Sequence, residues 1–200
     1  LYMTIIPFFI GGILGFIAGL LLVLTGPRGI LENRLVFFVL DKVTSIFRAI
    51  PFIILLALIN PFTRIIVGTG IGPTAALVPL SLAVFPFFAR QVQVVLSELD
   101  RGVIEAAQAS GATFWDIVGV YLREGLPDLI RVMTVTLISL VGETAMAGAI
   151  GAGGLGNVAL TYGYQRFNLD VTSLATILIL LLIFFIQFIG DFLTRKISHR

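Results

Sequence analysis

The sequence predicts an all-α integral membrane protein with five transmembrane helices, built as one domain over residues 1–200. Hydrophobic residues make up 58% of the chain and charged residues 12%, and the mean hydropathy is +1.08. A soluble chain is roughly 45–50% apolar and about 25% charged. Because so few charges cannot cover so much apolar surface, lipid must be the solvent for part of this protein.

The residue types that are absent limit the metal sites and catalytic groups that this chain can form. There are no cysteines, which excludes disulfides, zinc–thiolate sites and cysteine nucleophiles. The single histidine, His199, lies beside the C-terminus among charged residues, so neither a histidine-based metal cluster nor a Ser-His-Asp triad is available. We therefore expect a chain that is not an enzyme, binds no metal or cofactor itself, and has the lipid bilayer rather than nucleic acid as a partner.

Four of the five predicted spans have the 20 or so mostly apolar residues that cross a bilayer. The first span stops at Gly26-Pro27-Arg28, and the fourth starts at Pro127, a favourable first-turn residue. The second is short, is interrupted by Arg48 and Pro51, and is expected to end at Asn60-Pro61 on the outer surface. Neighbouring helices can satisfy backbone groups freed by internal prolines. The predicted spans are residues 3–24, 44–59, 73–96, 127–150 and 171–192.

The orientation follows from the thirteen lysines and arginines. Alternating the segments places only Arg64 and Arg166 on one side. Because positive charge is retained in the cytoplasm, we expect the N-terminus outside and the C-terminus inside the inner (cytoplasmic) membrane. The eleven residues on the cytoplasmic side are then Arg28, Arg34, Lys42, Arg48, Arg90, Arg101, Arg123, Arg131, Arg195, Lys196 and Arg200.

The first span does not have the pattern of a cleaved signal peptide, since it lacks a basic start and a small-residue exit. Leu1 already lies almost inside the membrane, so we expect a few residues to precede it in the natural protein. Within the span, Gly11, Gly15 and Gly19 form overlapping G-x-x-x-G motifs, a pattern typical of close helix packing.

The loop over residues 99–126 is the most informative stretch of the chain. Asp100 is a plausible N-cap for a short helix over residues 103–110, and Thr113 for a second helix through Val120. Gly111 allows a turn between them. The alanines of the first helix allow close approach to a partner, although an amphipathic helix lying at the membrane interface is an equally open interpretation.

Residues 151–156, GAGGLG, satisfy the pattern G-x-G-x-x-G literally. A dinucleotide site also needs a preceding strand, a following helix and a downstream acid. Here the run ends an apolar span instead. We therefore expect these glycines to let the chain turn tightly at the outer mouth of the protein.

The 99–126 loop resembles the signature loop of permeases from ABC importers, in which EAA is followed three residues later by Gly. Glu105, Ala106, Ala107 and Gly111 match that spacing. Tyr121 stands where the family has Ile. Arg123-Glu124 replaces the family's Leu-Pro, which instead follows three residues later as Leu126-Pro127.

Two longer stretches, residues 48–72 and 145–167, closely resemble permease subunits of bacterial methionine importers, which belong to the binding-protein-dependent transport family of the inner membrane. The resemblance implies a type I ABC importer fold and a coupling helix whose contacts with the ATPase are Glu105, Ala106, Ala107 and Gly111. It also implies three kinds of protein partner: a second copy of the chain, two ATP-binding cassette subunits, and a membrane-anchored methionine-binding protein outside. ATP and magnesium would be held by the ATPase, since this chain has no G-x-x-x-x-G-K-[ST] loop.

Ionisable or flexible groups inside spans are candidates for the substrate pathway. Glu143 either meets the ammonium group of an amino acid, pairs with a neighbouring helix, or is protonated or faces water. Met146 forms a gate or contacts a thioether, or simply packs, and Ser139 and Thr144 are similarly placed. We also expect a polar and aromatic patch on the outer side, which either docks the binding protein or forms an interfacial aromatic belt. Its residues are Tyr162, Tyr164, Gln165 and Arg166.

We therefore expect the transmembrane subunit of an ATP-driven importer for D- or L-methionine. A permease of the same class for another amino acid or a small peptide is the first alternative. An ion-coupled secondary transporter would show inverted repeats and several intramembrane acids, whereas the sequence offers one deep acid and no convincing repeat.

Overall fold

The computed structural model describes residues 1–198, without the side chains of residues 149 and 150. His199, considered above as a metal ligand, and Arg200, counted above among the cytoplasmic charges, lie outside the described residues. All the regular secondary structure of the described residues is helical. Its α-helices are α1 (Tyr2–Thr25), α2 (Arg34–Ala49), α3 (Phe52–Val67), α4 (Pro73–Ser97), α5 (Arg101–Ala109), α6 (Phe114–Glu124), α7 (Leu126–Ala147), α8 (Gly154–Asn157) and α9 (Leu169–Ser198).

Helix α1 packs along α4 through its three glycines, as the G-x-x-x-G pattern predicts. A Cβ added at Gly15 would lie 2.6 Å from the Phe85 carbonyl oxygen, and one at Gly19 would lie 2.5 Å from that of Ala89. Because these three glycines have no side chain, the backbones of α1 and α4 can touch. The contacts advance together along both chains, so α1 and α4 run parallel, and the intervening segment must return to the starting side.

That return is made by α2 and α3, which meet at an angle of 108°. Ile50 and Pro51 are extended at the junction, because a residue before proline is pushed out of the helical region. The predicted second span, residues 44–59, therefore runs across this break rather than along one helix. The expectation that it ends at Asn60-Pro61 is wrong, since α3 continues to Val67 and is closed by the left-handed Gly68.

Four helices, α1, α4, α7 and α9, are long and apolar enough to cross a membrane, and the bent α2–α3 pair makes a fifth crossing. Thr134 of α7 touches Gly190 of α9, whereas Val141, further along α7, lines a cavity with Ile179, which is earlier in α9, so these two helices are antiparallel. Successive crossings therefore alternate in direction. The described chain begins and ends on opposite faces of the bundle, as an odd number of crossings requires.

The glycine-rich segment after α7, residues 148–163, folds back on the helix as a hairpin of wide π-type turns around α8. We call it the glycine hairpin. Gly151, Gly153 and Gly154 have φ angles of +93°, +79° and +79°, which residues with a Cβ rarely adopt. Gly156 packs on the backbone of Ala145. Since the structure has no strand among residues 1–198, GAGGLG is a turn, not a dinucleotide loop.

Helix α9 lies at the edge of the bundle. Along residues 169–198 it buries only Ala175, Gly190 and Thr194. Its leucines, isoleucines and phenylalanines are largely exposed, as expected of a helix that faces lipid.

Candidate coupling surface and translocation cavity

Helices α5 and α6 form a two-helix unit with a complete set of caps. The Asp100 carboxylate accepts a hydrogen bond from the Gly102 N–H at 2.8 Å. Gly111, with φ +79°, makes the turn. Thr113 then closes a capping box, because the Asp116 N–H donates to its hydroxyl while its own N–H donates to the Asp116 carboxylate at 2.9 Å. The predicted N-caps, Asp100 and Thr113, are both confirmed.

Buried side chains hold this unit against the bundle. Ile104 is the buried residue of α5, and Ile117, Val118 and Tyr121 are those of α6. Tyr121, the residue that replaces the family's Ile, is therefore an anchor in the core. Gly125 lies so close to Leu96 of α4 that a Cβ there would be 2.6 Å from its methyl carbon. The end of α6 therefore contacts the end of α4 at the point where α7 begins.

The predicted coupling residues lie on α5, except for Gly111, which lies in the turn after it. Glu105, Ala106 and Gly111 are exposed, and Ala107 is half-buried. The exposed Trp115, at 76%, lies at the start of α6 in the same unit. Because α5 is fixed by Ile104 and presents small side chains outward, it offers a rigid surface that another protein can approach closely.

Two groups in this unit have shifted acidities. The Thr113 hydroxyl and, to a smaller extent, the Thr113 N–H hold the pKa of the Asp116 carboxyl below its usual value. Burial raises the pKa of the Tyr121 hydroxyl, although the nearby Arg101 charge opposes the shift. At neutral pH the Asp116 carboxyl is therefore ionised and the Tyr121 hydroxyl is neutral.

A cavity of about 530 Å³ opens where α7 passes the Pro51 break. Three of the predicted pathway residues, Ser139, Glu143 and Met146, line it from successive turns of α7. Met146 is 52% exposed. One carboxylate oxygen of Glu143, Oε2, is buried and has no hydrogen-bond partner.

The remaining walls of the cavity are Pro51, Phe52, Ile53 and Gly142. Sequence reasoning did not include the first three, although the proline before an apolar run was the available signal. Thr144 does not join the group, because it lines a separate, smaller cavity beside Met3 and Leu182 and donates its hydroxyl hydrogen to the Val141 carbonyl.

The predicted outer patch lies at the end of the glycine hairpin, on the opposite end of the bundle from α5–α6. Tyr162, Tyr164, Gln165 and Arg166 are all exposed, and the Arg166 guanidinium stacks over the Tyr162 ring at 4.9 Å. Phe167 was missed. It is 94% exposed with φ +56°, and it extends the patch by one large apolar side chain.

A polar cluster between α2 and α4 was also missed, since Arg90 was used only as a topology charge. Its guanidinium donates to the carboxylate of Asp41 at 2.7 Å, to the hydroxyl of Ser45 at 3.0 Å and to the amide oxygen of Gln93 at 2.6 Å. An arginine in the mostly apolar α4 and an aspartate in the amphipathic α2 were the available signal. The cluster ties the amphipathic α2 to the bundle.

The chain is a bundle of alternating membrane-crossing helices with a cavity beside a broken helix and a capped helix pair at one face, an arrangement suited to a membrane transport permease. Residues 4–199 match the family described as the inner membrane component of binding-protein-dependent transport systems. The chain belongs to this family.

Relatives that cover nearly the whole chain are permeases for methionine. The chain is 48% identical to a probable D-methionine transport system permease protein of Pasteurella multocida, over 100% of this chain and 93% of the relative. It is 50% identical to the methionine import system permease protein of Bacillus subtilis, over 90% and 82%. A solved inward-facing structure of the MetNI methionine ABC transporter is similar with a TM-score of 0.94 and 46% identity, over 98% of this chain and 91% of that one.

Proposed function

We propose that this chain is the membrane-spanning subunit of an ATP-driven importer that carries methionine across the cytoplasmic membrane. Two copies would pair with two ATPase subunits, which bind ATP and magnesium, and a binding protein would deliver the substrate from outside. Hydrolysis takes place on the ATPase, so this chain is not itself an enzyme. Family membership and the methionine transport named for its relatives support the proposal.

The observation that carries the coupling mechanism is the geometry of α5. Its Glu105 and Ala106, and Gly111 in the following turn, are exposed, whereas Ile104 is buried in the bundle. An ATPase that binds the exposed side and closes on ATP would move α5–α6 as a unit. The contact between Gly125 and Leu96 would pass that movement to α4 and α7.

The proposed orientation puts α5–α6 in the cytoplasm and the glycine hairpin outside. The excess of lysine and arginine on the α5–α6 side supports it. The patch of Tyr162, Tyr164, Gln165 and Arg166 would then face the binding protein. Methionine would pass through the cavity lined by Ser139, Glu143 and Met146, whereas Thr144 would have a packing role.

The test of coupling is Glu105→Arg in the assembled transporter, reconstituted in liposomes with its ATPase and binding protein. We expect methionine uptake to fall by roughly tenfold or more, since one hydrogen-bonded charge is worth that much, while ATP hydrolysis persists and membrane insertion is unchanged. Glu124→Arg, at an exposed acid near the end of α6, is the matched control. Unchanged coupled uptake in Glu105→Arg would contradict the docking assignment.

The test of the transport class uses the wild-type chain. ATP-dependent uptake of radiolabelled methionine is expected only with ATPase and binding protein present, and a panel of other amino acids should compete poorly. Uptake by the chain alone, without nucleotide, would refute the proposal.

A further inference from the structure

The Glu143 carboxylate has no cationic neighbour in the part of the chain that the structure describes. The salt bridges there involve Asp41 and Asp128. Oε2 of Glu143 is buried without any hydrogen-bond donor, and none of the residues that line the cavity is a lysine or arginine. An intramembrane carboxylate in such surroundings needs either a proton or a cation from outside the chain.

The cavity is suited to supply that cation as part of a small molecule. It is an open groove of about 530 Å³, a volume within the roughly 300–1,000 Å³ of ligand pockets. Its polar lining is the carboxylate of Glu143 and the hydroxyl of Ser139, four residues earlier on the same face of α7. Phe52, Ile53 and Met146 supply apolar and polarisable walls.

We propose that this cavity is a substrate site in which Glu143 binds the ammonium group of an amino acid, while Phe52, Ile53 and Met146 contact its side chain. This inference rests on the proposed transport function and specifies how the cargo is recognised. Since this chain supplies a carboxylate but no cation in the cavity, the site recognises the amino end of the substrate and not its carboxylate. Methioninamide should therefore bind nearly as well as methionine, whereas N-acetylmethionine, which has no positive charge, should not.

The first experiment measures displacement of radiolabelled methionine from the purified permease–ATPase complex, without the binding protein, so that selectivity of the binding protein does not enter. Displacement by methioninamide within a few-fold of methionine, with N-acetylmethionine weaker by roughly 10- to 100-fold, is the expected result. Equal displacement by N-acetylmethionine overturns the proposal, as does a failure of methioninamide to compete. This experiment needs no variant and is independent of folding defects.

The second experiment uses Glu143→Gln, which keeps the shape of the protonated carboxyl but cannot attract a cation. Methionine binding and uptake should fall by roughly 10- to 100-fold. Glu143→Asp should retain part of the activity, because it preserves the charge with a shorter side chain. Asp128→Asn is the matched control, as its carboxylate lies on the same helix but outside the cavity and pairs with Arg131.

Wild-type methionine binding in Glu143→Gln would mean that the carboxyl is a protonated packing group, and would overturn the proposal. Failure of the transport function itself has a different signature. In that case the wild-type complex would not take up methionine at all, whatever residue stands at position 143.

Discussion

The contact between α1 and α4 predicts that adding a single methyl group at Gly15 destabilises the protein. A Cβ there would lie 2.6 Å from the Phe85 carbonyl oxygen and 3.2 Å from both the Ala89 nitrogen and the Phe88 Cβ. The two nearest backbone atoms cannot rotate away as a side chain would. To restore an ordinary contact of 3.4 Å, the helices would have to separate by 0.8 Å at this point.

The magnitude follows from two opposing effects. Overpacking of a close contact costs about 1–3 kcal/mol, and alanine stabilises a helix over glycine by about 0.5–1 kcal/mol. The expected net loss for Gly15→Ala is therefore about 1–2 kcal/mol. For a chain of about 200 residues, each kcal/mol corresponds to roughly 2–4 °C, so the thermal midpoint should fall by about 2–8 °C.

The assay is thermal unfolding of the detergent-purified protein. Gly12→Ala is the matched control, because Gly12 lies on the same helix and a Cβ there would have no neighbour within 4 Å. This control should be neutral or slightly stabilising. If Gly15→Ala and Gly12→Ala had the same midpoint, close backbone packing would not be what joins α1 to α4.

The other predictions concern the caps and the polar cluster. Thr113 holds the pKa of Asp116 below its usual 3.8, so the capping box contributes stability above that pH and loses it as the pH falls through the lowered pKa. Thr113→Ala should raise the pH midpoint of the fluorescence change of Trp115, the only tryptophan. Arg90→Ala should remove the tie to Asp41 and speed hydrogen exchange in α2 by about tenfold.

Each of these two predictions has its own control. Glu124→Gln changes an exposed acid at the other end of α6 and should leave the Trp115 midpoint unchanged. Arg131→Ala breaks an exposed pair with Asp128, which is worth little in water, and should leave exchange in α2 as it was. Equal effects in variant and control would show that neither contact has the stabilising role assigned to it.

Much of the fold could be predicted because local chemistry decides it. The apolar stretches, the glycines of α1, the caps at Asp100 and Thr113 and the start of α7 near Pro127 all depend on a few adjacent residues. The sharp break before α3 was harder to locate. Pro51 signals it, but how far the chain turns there depends on the packing of α2 against α4, which no local pattern contains.

The candidate site divides in the same way. Glu105 and its neighbours could be proposed as a coupling surface from their spacing, since they lie in one short segment of the chain. The cavity could not, because it joins Phe52 of α3 to Met146 of α7, and only the tertiary arrangement brings these helices together. Thr144 shows the reverse error: it is next to Glu143 in the chain but points into a different cavity.

The peripheral position of α9 has a consequence for how this protein adapts to its host. With about 1.5 Å of rise per residue, its thirty residues span about 45 Å, longer than the roughly 30 Å hydrocarbon layer. Because Ala175, Gly190 and Thr194 are its only buried residues, most of its other residues can be substituted without disturbing the packing of the bundle. Its length and apolar composition can follow the thickness and lipid content of each species' bilayer, while α1, α4 and α7 stay fixed by their contacts with one another.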